Sequence, residues 1–568
     1  MQKLEIPLGY DEFKRIREEN FYYVDKTEFI RELLSKSFQA NLITRPRRFG
    51  KTLTMSMLED FFDISRDSRA RFDGLKISGY TELCSKWMNQ WPVVFITMKS
   101  VEGLDFAGAY GMLEVLLADL CKRYEFLEQS SLVNDADKKR FKELQYQTAK
   151  TPDIKNSLVL LTRMLHSHYG KPVILLIDEY DVPLSSAYEN GYYTEMLDII
   201  RSMLGVSLKT NPYLKFAVVT GCLQISRESI FTGMNHFVPD SVADDRFCEH
   251  IGFTGADVSR LLADAGLSCK KQDFKEWYDG YIFGDVHVYC PWDVLNYVND
   301  LQDYPQAEPG TYWANTSGNN ILKKFLKRAG RTTRAEIERL IAGESIQKKI
   351  DTQLTYNETG NTERNLWSML YLTGYLTGTK SGTRGFMDLR IPNREVLEIF
   401  TSQITEWFTD MITENHPEGW HSLCTALENG DAETAEKYLN DFLSRGISIR
   451  DTAAPQVKKE NFYHGLLLGL LMCRNEWNVY SNREDGDGYS DIHVEADEET
   501  AFIIEVKYSE NGDIDAGSQT ALDQIREKRY TDPLLRLDFS YVYAYGIAFH
   551  RKKCRVICQK QKENNLSD

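Results

Sequence analysis

The stretch Leu42–Thr52, LITRPRRFGKT, decides the fold of the first half of the chain. A short apolar strand runs into Gly50-Lys51-Thr52. An amphipathic helix then opens, with Leu53, Met57, Leu58, Phe61 and Phe62 at helical spacing. Strand, basic loop and helix in that order predict a P-loop. The loop and the helix N-terminus present backbone N–H groups and the positive end of a dipole to an anion. Gly50 lets the backbone approach phosphates where a Cβ would clash. Lys51 is expected to reach the β- and γ-phosphates of ATP, and the Thr52 hydroxyl to ligate Mg²⁺. Arg48, Phe49 and Leu53 complete the expected nucleotide cradle. Arg45 stands where the full pattern has its first Gly, and Pro46, Arg47 and Arg48 follow, so the loop is stiff and strongly basic. GKT alone is common, and a basic turn between strand and helix would look the same.

A second segment decides between these readings. Lys171–Pro183 is KPVILLIDEYDVP, and Val173–Ile177 is the continuous apolar run of a strand buried on both faces of a parallel sheet. It ends in Asp178-Glu179, at the ligand edge of such a sheet. Asp178 is expected to hold Mg²⁺, directly or through water, and Glu179 to polarise the attacking water as general base. Trp91–Met98 (WPVVFITM) and Leu214–Thr220 (LKFAVVT) supply further strands, among helical patterns around Leu113–Leu127 and Lys155–His166. This alternation predicts an α/β fold, a doubly wound layer on a mainly parallel sheet. Thr220, at a strand tip beside Asp178, fits a sensor of the γ-phosphate or the attacking water. Arg227, in ISRESIF, could neutralise transition-state charge in cis or across a homo-oligomer; a surface arginine is the plainer reading.

At 568 residues the chain should hold about three or four domains. A net charge of −16 repels nucleic acid overall, so any such contact must use local basic patches. No apolar run reaches the ~18 residues of a membrane span, and the N-terminus lacks a signal-peptide core, which predicts a cytoplasmic protein with no membrane partner. The ten cysteines form no CxxC pair and read as buried thiols rather than zinc ligands. Phe21–Thr27 (FYYVDKT) looks strand-like, with Asp25 or Thr27 as a cap for a helix from Glu28. From Phe253 short helices alternate with an aromatic-rich piece, WYDGYIFG (Trp277–Gly284), which reads as a small core. Leu366–Leu376 reads as a buried helix or turn and Gly382–Ile391 as part of a hairpin. The region as a whole reads as a helical lid with a winged-helix-like piece.

The last domain begins near Gln456. Glu460–Met472 is an apolar helix with Glu460 and His464 on one face. A turn, Asp485–Gly488, leads to the strand-like Ser490–Val494, and a second strand covers Ala501–Lys507. Glu505 and Lys507 alternate with Ile504 and Val506, so both project from one face. An Asp on one strand and E-x-K on the next form the layout of PD-(D/E)XK phosphodiesterases. Asp491 and Glu505 are hard oxygen ligands for Mg²⁺ or Mn²⁺, with Glu460 or Glu484 completing the shell. Lys507 would orient the nucleophile and offset transition-state charge. Gln524 and Tyr530, on a following helix, could support the site. Arg551, Lys552, Lys553, Arg555, Lys560 and Lys562 form a candidate phosphate-backbone patch, or a solvated strand end.

Taken together, IPLGYDEF, YYVDKTEFI, RPRRFGKT, LLIDEYDVP, TGCLQISRESIF, WYDGYIFG, NFYHGLLLGLL, SNREDGDGYSD, FIIEVK and ALDQIREKRY resemble the bacterial AAA-ATPase-like family. Its members join an N-terminal P-loop ATPase to a C-terminal PD-(D/E)XK-type nuclease domain, and its P-loop similarly replaces the first Gly. Tyr489 departs from the family, where an Arg is usual shortly before the Asp. The resemblance implies an ATP-binding, ATP-hydrolysing domain over residues 1–250, a mainly helical region over 251–450 and an α/β nuclease-like domain over 451–568, acting on DNA. A signalling NTPase switch with a non-catalytic C-terminal module is the alternative, and an ATPase acting on protein a third reading.

Overall fold

The computed structural model describes residues 3–36, 38–224, 237–313, 331–341, 343–354, 363–401, 417–446, 456–472, 474, 476–537 and 539–561. The chain divides into two compact units, Met1–Trp313 with Gln347–Glu395, and Ala314–Ile346 with Val396–Asp568.

The first unit is built on five strands, β1 (Ala40–Thr44), β2 (Val93–Thr97), β3 (Val173–Asp178), β4 (Leu214–Gly221) and β5 (Phe237–Asp240). Their order is β2-β3-β4-β1-β5, and every pairing is parallel. Each residue of β1 and β3 is buried, which is why these runs read as continuous rather than alternating. Long helices at Lys51–Phe62, Phe106–Arg123, Ser157–Tyr169 and Tyr193–Lys209 lie between the strands in sequence. Because β4 lies between β1 and β3, the tips of the P-loop strand, the Thr220 strand and the Asp178 strand stand side by side.

The strand expected over Phe21–Thr27 is not formed. The segment is irregular up to the helix Glu28–Ser35, and Thr27 makes no side-chain cap there. Asp25 instead accepts the Thr27 hydroxyl at 2.7 Å and the Lys76 N–H at 2.7 Å. Thr27 in turn accepts the Ile77 N–H at 3.1 Å. The VDKT stretch is thus a joint that pins the turn Lys76–Gly79.

The same unit continues through β6 (Phe253–Thr254), β7 (Tyr281–Phe283) and β8 (Val286–Tyr289), in the order β6-β8-β7. The expected helices are found at Gly255–Asp264 and Lys271–Tyr278, the first closed by a Thr254/Asp257 capping box. Phe274, Tyr278 and Tyr297 pack in one buried cluster with Val258, Leu261 and Leu262, so the aromatic-rich piece is a core. A further sheet, in the order β10-β11-β9, comprises β9 (Ile346–Lys349), β10 (Thr377–Lys380) and β11 (Phe386–Arg390). β10 and β11 are the hairpin expected near Gly382–Ile391, and Leu366–Thr373 lies in the helix Glu363–Thr373.

The second unit has five strands in sequential order, β12 (Asn478–Asp485), β13 (Gly488–Glu495), β14 (Thr500–Tyr508), β15 (Tyr541–His550) and β16 (Lys553–Gln561). Only β14 and β15 pair in parallel, and the helix Ile514–Glu527 lies in the crossover such a pair requires. Ile503, Leu522 and Ile525 share a buried cluster between that helix and the sheet. Tyr463, on the helix Gln456–Met472, stacks on Phe549 at 4.3 Å and on Tyr508 at 5.7 Å.

Candidate functional site

Gly50 has φ 87° and precedes the helix Lys51–Phe62 with no side chain capping its first turn. A glycine is needed for that conformation, and the uncapped N–H groups behind it are the donors an anion would meet. Lys51 folds back and donates from Nζ to the carbonyls of Arg45 at 3.0 Å and Pro46 at 2.9 Å. Leu53 is half-buried in the first turn. The Thr52 hydroxyl donates to Asp178 Oδ2 at 2.7 Å, and the Thr220 hydroxyl donates to Asp178 Oδ1. The residues expected to hold Mg²⁺ and sense the γ-phosphate are therefore brought together at the tips of adjacent strands, from positions 126 and 42 residues from Asp178. A hydroxyl and a carboxylate at the mouth of an uncapped helix N-terminus suit a magnesium nucleotide in donor chemistry.

Glu179 has φ 51°, left-handed backbone at the edge of this cluster. Burial, and then the neighbouring Asp178, raise its carboxyl above the ordinary value. Backbone strain of this kind concentrates at functional positions. Asp181, which the sequence reading passed over, is buried and accepts the Cys222 and Leu223 N–H groups at 2.9 and 3.0 Å. It ties the loop after β3 to the exit of β4. Its signal was present as the third acidic residue of IDEYD.

Arg45 explains the missing glycine. Its side chain is fully buried and pairs with Asp240 of β5 at 2.6 Å, and it also donates to the Arg246 carbonyl at 3.0 Å. Burial pushes Asp240 up to about 6 even though Arg45 pulls the other way. The first loop position is thus a strut to the neighbouring strand, and its charge is not free for phosphate. Arg48 lies 4.0 Å over the Trp292 ring and donates to the Tyr312 carbonyl at 3.2 Å. Phe49 is buried against Tyr281 and Phe283 at 5.1 and 5.0 Å. Both expected cradle side chains point into the aromatic core that follows β5. Arg227 and Lys562 lie outside the described residues.

In the second unit the β13–β14 ladder ends at Ile492↔Ile504, so Asp491 and Glu505 occupy the next opposed positions. The strands part there: Asp491 Oδ2 accepts the Val506 N–H at 2.8 Å. Lys507 Nζ lies 3.2 Å from Glu505 Oε1, which also accepts from the Gln524 amide. Glu505 is buried and its Oε2 has no hydrogen-bond partner. Burial and then the Asp491 charge push its carboxyl up to about 7. Burial pulls Lys507 down, but Glu505, Asp491 and Glu460 together outweigh it and hold the ammonium above its ordinary value. Glu460 accepts the Tyr508 N–H at 3.2 Å, and His464 meets the Asp491 carbonyl at 2.9 Å. Tyr530 is buried, and a Cβ on Gly488 would come within 3.2 Å of its hydroxyl. Glu484 is exposed, opposite Tyr489.

A buried unpartnered carboxylate oxygen beside a second carboxylate suits a hard cation. Among the described residues no three His, Cys, Asp or Glu groups could hold a metal by themselves, so a cation here would draw the rest of its shell from water and substrate oxygens. Behind this edge lies an arrangement the sequence did not reveal. His493 and Asp485 are buried together at 3.0 Å, with Ser490 donating to the same carboxylate. Of the basic tail, Arg555 is committed to Glu436 and Asp515, and Lys560 lies over the Tyr541 ring.

Among the described residues, no helix is long and apolar enough to cross a membrane. Over 400 residues the chain is 27% identical to a protein of Azotobacter chroococcum mcd 1 described as an uncharacterized protein in the vnfD 5' region. The match covers 70% of this chain and 69% of that one. Residues 7–231 match the family described as predicted AAA-ATPase, and residues 458–559 match the PD-(D/E)XK nuclease superfamily. The chain thus joins an N-terminal AAA-ATPase-like domain to a C-terminal domain of the PD-(D/E)XK nuclease superfamily.

Proposed function

We propose that the protein binds and hydrolyses ATP at the P-loop and cleaves DNA phosphodiester bonds at the β13–β14 fork. The observation that carries the second half is the constellation of Asp491, buried Glu505 and Lys507, with one Glu505 oxygen left without a partner. Glu505 and Asp491 supply oxygen ligands, and Lys507 holds a positive charge where negative charge develops on the phosphoryl group. A divalent cation bound there would polarise the phosphoryl oxygen and lower the pKa of a bound water. At the P-loop, Lys51 would exchange its loop carbonyls for phosphate oxygens, Asp178 and Thr52 would hold a magnesium ion, and Glu179 would take the proton of the attacking water. Residues 1–250, 251–450 and 451–568 then act as ATPase, connecting region and nuclease. The chain works in the cytoplasm, and Arg227 serves an active site in cis or in a homo-oligomer.

The test is cleavage of plasmid and single-stranded DNA in Mg²⁺ or Mn²⁺, with and without ATP. Lys507→Ala should lower cleavage by about a hundred- to a thousandfold, the scale of a lost transition-state contact. Lys51→Ala should abolish ATP binding. ATP binding with no cleavage under any condition would favour a nucleotide switch with a non-catalytic C-terminal module, a reading that the net charge of −16 supports.

A further inference from the structure

Past Asp491 the β12–β13 hairpin leaves the rest of the sheet, because the Asp491 carboxylate takes the Val506 N–H that a strand backbone would otherwise accept. The chain exposes one aromatic ring on this free arm and a second on the edge strand β12, where it flanks the still-paired part of β13. Tyr489 is 64% exposed and Tyr480 is 39% exposed. Tyr489 lies two residues before Asp491, a rise of about 7 Å along a strand. Tyr480 lies opposite His493, two residues after Asp491, and its ring meets the His493 ring edge-on at 5.6 Å. Arg483 stands 4.3 Å over the Tyr480 ring, and Ser481 and Asn482 beside it are exposed. The carboxylate expected at the scissile phosphate therefore has an exposed tyrosine two residues before it on its own strand and a second on β12, opposite His493.

In a duplex the base faces are stacked on one another and closed to a side chain. Protein rings stack on bases where the strand is single or splayed. Duplex binding relies instead on phosphate contacts. The chain carries −16 overall, and the hairpin's Arg483 is shared with Glu495 at 2.9 Å. A ring at Tyr489 supplies stacking area where a cation would supply phosphate attraction. We infer that the fork selects single-stranded DNA, with Tyr489 stacking on a base beside the cleaved phosphate. This rests on the reading of the fork as a DNA nuclease site.

The experiment is equilibrium binding of fluorescein-labelled oligodeoxynucleotides to the full chain, single-stranded and duplex, followed by anisotropy in Ca²⁺ to hold back turnover. The single strand should bind more tightly than the duplex. Tyr489→Ala should weaken single-strand binding about tenfold, the scale of one lost base stack, and leave duplex binding unchanged. Tyr489→Phe, which keeps the ring, should bind as wild type does. Equal weakening of both forms, or none, overturns the inference, and tighter binding of the matching oligoribonucleotide overturns the assignment to DNA. Cleavage of duplex that is lost in Lys507→Ala but indifferent to Tyr489→Ala would sink the single-strand inference and leave the nuclease standing. Tyr489-dependent binding with no cleavage of any substrate would do the reverse.

Discussion

The two candidate sites leave their polar groups in opposite conditions. At the P-loop, Lys51 rests on its own loop carbonyls, and Asp178 holds the Thr52 and Thr220 hydroxyls. At the fork, Glu505 keeps a buried oxygen without a partner, and its carboxyl is pushed up to about 7. In the first arrangement the protein's own groups satisfy one another. A nucleotide entering it exchanges one set of hydrogen bonds for another of the same kind, so the net gain per contact is small. The second holds the cost of a buried charge until a cation or a proton removes it. A switch that must empty each cycle suits the first condition, and a site that must recruit a metal suits the second.

The largest effect should come from the strut beneath the P-loop. Arg45→Ala would leave Asp240 buried without its cation and strip a donor from the Arg246 carbonyl. Breaking a buried pair from one side costs about 3–5 kcal/mol, so chemical denaturation should show a loss of that size. Lys507→Ala also strips a cation from a buried carboxylate, but Lys507 is 21% exposed and Glu505, already pushed up to about 7, takes a proton in its place, so the loss should be smaller. An Arg45→Ala protein as stable as wild type would mean that the loop does not lean on β5.

A pair of substitutions tests the contrast itself. Without nucleotide or metal, Asp178→Ala leaves two hydroxyls at the strand tips without their acceptor, and the loss should be about 2 kcal/mol. Glu505→Gln keeps the shape and removes a buried charge, but also the ion-pair partner of Lys507, so stability should stay within about 1 kcal/mol of wild type. Equal losses at the two sites in thermal melts would erase the distinction drawn between them.

Much of this was legible in the sequence, for reasons that differ by residue. Val173–Asp178 announces itself because a strand covered on both faces has no polar alternation to hide it. Glu505 and Lys507 are readable because strand alternation alone places them on one face, and the E-x-K spacing survives any detail of packing. Arg45 was not legible as a strut, because Asp240 is 195 residues away and nothing local points to it. The side-chain partners of Arg48 and Phe49 were equally hidden: Trp292, Tyr312 and Tyr281 belong to a later part of the chain. Phe21–Val24 misled because aromatic and β-branched residues suit a strand, yet among the described residues they join no sheet, and Tyr22 N–H donates to the Glu5 carbonyl at 2.8 Å.

A third buried carboxylate group sharpens the comparison, because it resembles the fork in burial and differs in company. Asp293 and Glu395 are both buried at 0% exposure, and neither Asp293 oxygen has a hydrogen-bond partner of good geometry. Glu395 accepts the Trp313 N–H at 2.6 Å. Burial, followed by the charge of Glu395, raises the Asp293 carboxyl well above its ordinary range, and burial raises Glu395 as well. The folded state therefore holds protons that the unfolded chain releases near pH 4. Stability from this pair is fully present below that pH and is lost as pH rises toward the raised native value. Asp293→Asn removes one of the two titrations. Urea midpoints from about pH 5 to pH 9 should fall more steeply for wild type than for the variant, by up to about 1.4 kcal/mol per pH unit. Parallel slopes would mean that the pair ionises as surface carboxylates do. At the fork, Lys507 and an open strand edge give Glu505 a route to a cation. Asp293 lies with a second acid and the Cys290 thiol, and the Arg48 charge, which stands over the Trp292 ring, does not offset burial, so a proton is the partner that stabilises it.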